Sequence, residues 1–241
     1  MKNKIDSPAS ARIEVRGLSK RYHYQPVLDG LDLTVNGGEL CVLVGANGAG
    51  KTTLLRIVAS LVRPDAGEVF AGGYTLAHGG PYRRQIGYLG HQSLFYSDLN
   101  AVENLTHYAR LYHLADSADR VTQSIQLVGL SAHRTKPVRT YSRGMQQRLA
   151  IARSLLHDPE VLLLDEPYTG LDPEAARFLD ERLRQLRAPN RAILIAAHRP
   201  QGLLSIASHV AWLREGRIAQ HLPVTRLGED PALSAYLKET A

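Results

Sequence analysis

The chain has 241 residues, 44% of them hydrophobic and 22% charged, which is the make-up of an ordinary globular protein with ample length to bury a core. Its formal charge of +6 suits acidic partners (nucleotide, anionic headgroups or nucleic acid), but the basic residues are scattered without a dense tract, so most of that charge reads as solvated surface. No apolar run is long enough to cross a bilayer, no apolar segment follows the charged start Met1-Lys2-Asn3-Lys4, and the lone cysteine, Cys41, leaves no intrachain disulfide, so a reducing cytosol is the expected setting.

Taken in chain order, Ile13-Glu14-Val15 opens a strand-like alternation, and Val27 to Val35 alternates apolar with polar residues, as a half-exposed strand does. Asn36-Gly37-Gly38 is a turn signal before Leu40-Cys41-Val42-Leu43-Val44, an apolar run that predicts a buried strand. Gly45-Ala46-Asn47-Gly48-Ala49-Gly50-Lys51-Thr52-Thr53 comes next, and Leu54 to Ala59 continues as a helix. Pro64-Asp65-Ala66-Gly67 is a second turn, with a short strand over Glu68 to Ala71. From about Asn100 to Asp158 helical spacing takes over (Leu105, Tyr108, Ala109, Leu111, Tyr112, then Val121, Ile125, Val128), which predicts a helical lobe inserted into an α/β core. The core resumes with the buried strand Val161 to Asp165. A helix follows, capped by Asp172 with Pro173 at its first position and an apolar face of Ala175, Leu179, Leu183 and Leu186. Ala192 to Ala196 is a third buried strand leading to His198, and Val210–Leu213 with Arg217–Ala219 read as a hairpin around Glu215-Gly216. Buried strands alternating with helices predict a largely parallel sheet with ligands at its C-terminal edge.

The spacing G-x-x-x-x-G-K-T between a strand and a helix is that of a phosphate-binding loop. Its glycines let successive N–H groups turn inward on a polyanion, and the helix N-terminus adds unpaired donors. Lys51 is expected to reach the β- and γ-phosphates, and Thr52 to place its hydroxyl on Mg²⁺. Asp165-Glu166, at the end of the second buried strand, pairs a carboxylate suited to Mg²⁺ with one placed to polarise an attacking water. Before the helix that precedes this strand stands Tyr141-Ser142-Arg143-Gly144-Met145-Gln146-Gln147-Arg148, in which Ser142 is a good N-cap and Gly144 leaves backbone room.

These motifs, in this order, make the chain resemble the nucleotide-binding subunits of ATP-binding cassette (ABC) transporters over nearly its whole length. The resemblance implies an α/β P-loop NTPase cassette formed by residues 1–241 as a single ABC ATPase domain. Within it are expected a RecA-like core (about 12–90 and 160–220) with an antiparallel β subdomain, an inserted helical subdomain (about 91–159) and a C-terminal tail (about 221–241). Ser142, Arg143, Gly144 and Met145 match the family signature, with Arg143 in place of its first glycine and Met145 in place of its glutamine. The resemblance assigns ATP contacts to Tyr22 and to Gly45, Ala46, Asn47, Gly48, Ala49, Gly50, Lys51, Thr52 and Thr53, with Tyr24 as the rival to Tyr22 for stacking on adenine. Gln92 is the Q-loop residue, touching ATP and metal. Thr52, Gln92 and Asp165 are expected to hold Mg²⁺, and Lys51, Glu166 and His198 to be catalytic, His198 as the switch histidine. Asp172 closes the D-loop.

The implied partners are ATP, transmembrane permease subunits and a second ATPase subunit in a head-to-tail dimer, where the signature meets the partner's ATP. Such a protein would sit peripherally on the cytoplasmic face of the inner or plasma membrane. Leu94, Phe95 and Tyr96 are candidate permease contacts, or else packing within the helical lobe. The wording of residues 90–105, 141–148 and 166–172 is similar to the haem-exporter ATPases of cytochrome c maturation, which implies a role in haem export. An exporter of drugs, lipids or glycans is the alternative. A soluble ABC ATPase acting on ribosomes or DNA is disfavoured by the single cassette and the lack of a heptad insertion, so no nucleic acid partner is expected.

Overall fold

The computed structural model describes residues 11–90, 94–198 and 200–239. Two sheets organise the chain. Strands β1 (Ala11–Tyr22) and β2 (Gln25–Asn36) form a long hairpin. Strand β3 (Leu40–Val44) follows and leads through the glycine-rich loop into helix α1 (Lys51–Val58). Strands β4 (Ala66–Ala71) and β5 (Tyr74–Thr75) return to the hairpin, giving an antiparallel sheet of order β2-β1-β4-β5.

A short helix α2 (Gly80–Arg83) precedes strand β6 (Ile86–Leu89). Helices α3 (Ala101–Leu111), α4 (Ser117–Leu127) and α5 (Arg143–Leu155) fill the predicted helical stretch. Strand β7 (Val161–Asp165), helix α6 (Pro173–Leu186), strand β8 (Ala192–Ala196) and short helix α7 (Gln201–Leu204) come next. Strands β9 (His209–Arg214) and β10 (Arg217–Pro223) make the predicted hairpin, and helix α8 (Pro231–Glu239) closes the chain. The second sheet runs β10-β9-β3-β8-β7-β6, parallel from β9 to β6 with only β10 antiparallel.

The two-residue period of a strand divides the interior in two. Leu40, Val42 and Val44 of β3 join Leu162, Leu164, Ile193 and Ile195 in a core shared with the helical segment and α8. Their neighbours Cys41, Leu43, Val161, Leu163 and Leu194 face the other way, against α1 and the antiparallel sheet. All fifteen residues of β3, β7 and β8 are buried, as expected for parallel strands covered on both faces.

Local departures from the sequence reading have local causes. The alternation expected across residues 27–35 slips: Leu28 is buried, and so is Leu31, three residues on. The strand pairing with β1 shifts register there, and Gly30 adopts φ 61°. In α3 the buried face is Ala101, Leu105 and Ala109, while Leu111 is 61% exposed. Leu111 lies off the i, i+4 stripe that begins at Ala101. Asn104 is fully buried, which removes any meaning from the glycosylation sequon at Asn104-Leu105-Thr106. Its side-chain NH₂ donates to the carbonyls of Tyr96, Leu99 and Asn100, and its oxygen accepts from the Tyr96 N–H.

Candidate active site

Parallel pairing brings three strand ends together. Leu43 pairs with Ala196, and Asp165 pairs with the same Ala196, so one step on, residues 44, 197 and 166 lie side by side, and Gly45 comes next after Val44. The Glu166 N–H donates to Ala196 O at 3.0 Å and the Ala197 N–H donates to Leu43 O at 3.1 Å, extending the ladder one step past the strands.

Glycines are required on the loop for specific reasons. At Gly50 φ is 107°, and a Cβ there would stand 2.9 Å from Leu28 Cδ2 and 3.0 Å from Val27 O. Gly45 would drive a Cβ to 2.5 Å from Leu213 O. Ala46, Asn47, Gly48 and Thr52 are exposed, Ala49 and Thr53 are half-buried, and Lys51 is buried. The Lys51 ammonium donates to Gly45 O at 2.7 Å and Ala46 O at 3.1 Å. Burial pushes its pKa down, and the nearby Glu166 and Asp165 carboxylates partly offset that. A cation is thus folded back onto its own loop, next to two carboxylates and within the turn that a polyphosphate would enter.

Thr52 Oγ1 donates to Asp165 Oδ1 at 3.1 Å, so the two residues expected to hold Mg²⁺ touch. Asp165 is 4% exposed. Glu166, by contrast, is half-buried and takes a left-handed backbone (φ 53°), which turns it off the line of β7. A non-glycine residue in that region costs about 1–3 kcal/mol and persists where surrounding structure enforces it. Here the enforcing contacts are the bond to Ala196 O and the Thr169 N–H donating to Glu166 O at 3.1 Å. Glu166 and His198 line one cavity of about 360 Å³, together with Pro167, Tyr168, Thr169, Ala197 and Leu203.

The signature segment is built as a capped helix start. Ser142 Oγ accepts from the Met145 N–H at 3.2 Å. Within this chain Gly144 has room: an added Cβ would meet only Ala175 Cβ at 3.7 Å and Ser142 Oγ at 3.9 Å. Met145 packs partly against the core. Arg143, in place of a glycine, lies over Gly170 of the segment Tyr168–Asp172. A Cβ on Gly170 would fall 2.6 Å from Arg143 Nε, and Gly170 itself has φ 75°. With Gln146 and Gln147, Arg143 also lines a small cavity of about 90 Å³ against Asp165 and Glu166 of the same chain. Asp172 caps α6, accepting from the Ala175 N–H at 2.8 Å.

Two contacts were not legible from motifs. Gln147 donates to Pro167 O at 2.9 Å, and Tyr168 donates to Asp180 at 2.5 Å, together tying the segment after Glu166 to α5 and α6. Tyr22 is 41% exposed with the Lys20 ammonium 5.5 Å from its ring centre, whereas Tyr24 is 99% exposed at the hairpin tip. Gln92 lies outside the described residues. The aromatic stretch beyond it divides: Leu94 and Tyr96 are 63% and 55% exposed, while Phe95 packs edge-on against Tyr108 inside the helical segment.

Comparison with known proteins agrees with this geometry. The ABC transporter family model matches residues 28–169. A curated relative, the Nod factor export ATP-binding protein I of Ralstonia nicotianae, is 38% identical over 215 residues, which is 88% of this chain and 67% of that one. The daunorubicin resistance ATP-binding protein DrrA3 of Streptomyces coeruleorubidus is 36% identical, over 87% of this chain and 67% of its own. A solved ATP-binding subunit of an ABC transporter superimposes with a TM-score of 0.85 at 29% identity, over 95% of this chain and 98% of the other. These relatives bear out the family, and they are named for Nod factor export and drug resistance, which does not show the haem expectation and lies nearer its alternative. The chain therefore belongs to the ABC transporter family, as an ATP-binding cassette that hydrolyses ATP.

Proposed function

We propose that this chain energises a membrane exporter of drugs, lipids or glycans by binding and hydrolysing ATP between two ATPase subunits. The observation that carries the reading is the meeting of the phosphate loop, Thr52–Asp165 and the Glu166–His198 cavity at three adjacent strand ends. Relatives named for Nod factor export and daunorubicin resistance favour this cargo class over haem.

The backbone N–H groups of residues 45–53 cradle the phosphates, and Lys51 moves from the loop carbonyls to the β- and γ-phosphates. Thr52 and Asp165 offer hard oxygen donors already in contact, which suits Mg²⁺, and the ion supplies neutralising charge on the phosphates. Glu166 orients the attacking water, and His198, on the same cavity, hydrogen-bonds the γ-phosphate. Ser142 and Gly144 meet the partner subunit's ATP. The open space at Gly144 supports that role, because the fold of this chain does not itself demand glycine there. Arg143, committed to Gly170, braces the signature against the D-loop in its own chain. Loss of the γ-phosphate removes the bridge between subunits, and exposed Leu94 and Tyr96 pass the motion to a permease.

The test is to trap the Glu166→Gln variant with ATP in native membranes, extract it in detergent and identify its companions by mass spectrometry. A permease whose loss sensitises cells to a drug, or stops export of a lipid or glycan, is the expected companion. Haem-handling membrane proteins would transfer the assignment to haem export, and ribosomes or DNA without a membrane protein would overturn transport altogether.

A further inference from the structure

The turn after β7 begins with Glu166, and contacts on both sides set its shape. The Thr169 N–H donates to Glu166 O at 3.1 Å and the Leu171 N–H donates to Tyr168 O at 3.1 Å, so residues 166–171 fold as two overlapping turns that move as one piece. Glu166 heads that piece in a left-handed backbone (φ 53°), a conformation that persists only where its surroundings hold it. Side chains tie the piece to the helices beside it. From α5, Gln147 donates to Pro167 O at 2.9 Å. Tyr168 reaches the other way, its hydroxyl donating to Asp180 Oδ1 at 2.5 Å. Asp180 stands well inside α6, beside Leu179, whose burial with Leu183 fixes that helix on the core. Burial first, then the bond and charge of Asp180, raise the Tyr168 pKa, with Arg184 opposing, so the hydroxyl stays protonated and remains the donor. The same tyrosine lines the cavity of about 360 Å³ that Glu166 and His198 share.

We propose that Tyr168 is a positioning residue for ATP hydrolysis: its bond to Asp180 locks the turn onto α6 and so holds the Glu166 carboxylate where it orients the attacking water. This rests on the reading of Glu166 as the water-orienting carboxylate. Helix α6 is the fixed body, the tyrosine is the strut, and the turn between them carries the carboxylate. Removing the hydroxyl leaves the ring packed against the core but frees the turn to rotate about its remaining tie to Gln147. These contacts bear on the turn after β7 and not on the loop after β3, so the loss falls on kcat and spares nucleotide affinity.

The experiment measures kcat and KM for MgATP in the full-length wild type, Tyr168→Phe, Asp180→Ala, Asp180→Asn, the double variant Tyr168→Phe/Asp180→Ala, and Tyr82→Phe. Tyr82 controls for loss of a buried tyrosine bond, since it donates to Val58 O at 2.6 Å in the other core. Tyr168→Phe is expected to lower kcat about tenfold with KM unchanged, the scale of one charge-assisted hydrogen bond or of a slightly misplaced group. Asp180→Ala removes the acceptor without touching the tyrosine and is expected to match it, and the double variant to be no slower than either single one. Asp180→Asn keeps an acceptor oxygen and is expected to restore most of the rate. Wild-type kcat in Tyr168→Phe and Asp180→Ala, a loss carried by KM, additive losses in the double variant, or an equal kcat loss in Tyr82→Phe would overturn the proposal. Wild-type turnover in Glu166→Gln would instead overturn the reading of Glu166 on which it stands.

Discussion

Lys51 shows how a single residue carries both a resting and a working state. The residue is 8% exposed and its ammonium is satisfied by two loop carbonyls, so the buried charge is not left unpaired. On the proposed role, Lys51→Ala would remove charge-assisted contacts to the phosphates. MgATP affinity, measured by calorimetry, is expected to fall about 10- to 100-fold, with turnover lost. Wild-type affinity in that variant would contradict the role assigned to the loop. The residues of this loop were readable because the motif fixes residue type and spacing together. Asn104 was not readable: nothing in the sequence distinguishes an amide that closes the 96–100 loop from one on a surface. Arg143 was visible as a departure from the signature, but its place over Gly170 depends on how α5 meets the segment after β7.

At the scale of elements, the junction of the helical segment with the core turns on His157. It follows α5, stacks on Tyr112 at 3.9 Å and donates from Nε2 to Ile86 O at 3.0 Å. Nδ1 must then be the unprotonated nitrogen, and it is buried without a hydrogen-bond partner. Burial pushes the His157 pKa down to about 4, with the bond to Ile86 and the charge of Asp158 partly offsetting and Arg84 adding to the shift. An unfolded chain binds the proton near pH 6.5, the folded chain only near 4, so stability is full above 6.5 and falls as pH drops through that window. The loss is on the order of 3 kcal/mol by pH 4. Denaturant titrations of His157→Gln should lose most of this pH dependence, and an unchanged curve would show that other groups govern it. Among the elements, β3, β7 and β8 were legible because parallel strands buried on both faces read as unbroken apolar runs. The two-residue β5 and the slip in β2 were not, because a bulge and a very short strand leave no periodic trace.

For the molecule as a whole, two cores on opposite faces of one largely parallel sheet hold the strand ends in register at the edge that carries the candidate site. No helix among the described residues is long and apolar enough to cross a membrane, and Leu94 and Tyr96 stand exposed on the surface, where the proposed permease contact would fall. The proposed sandwich of two subunits rests on the family resemblance, and the spare room at Gly144 is the one feature among the described residues that supports it. Light scattering of purified Glu166→Gln with and without MgATP tests that sandwich. ATP is expected to double the mass and ADP is not, and adding Lys51→Ala is expected to abolish the shift. A Glu166→Gln protein that binds ATP stoichiometrically and stays monomeric would contradict it.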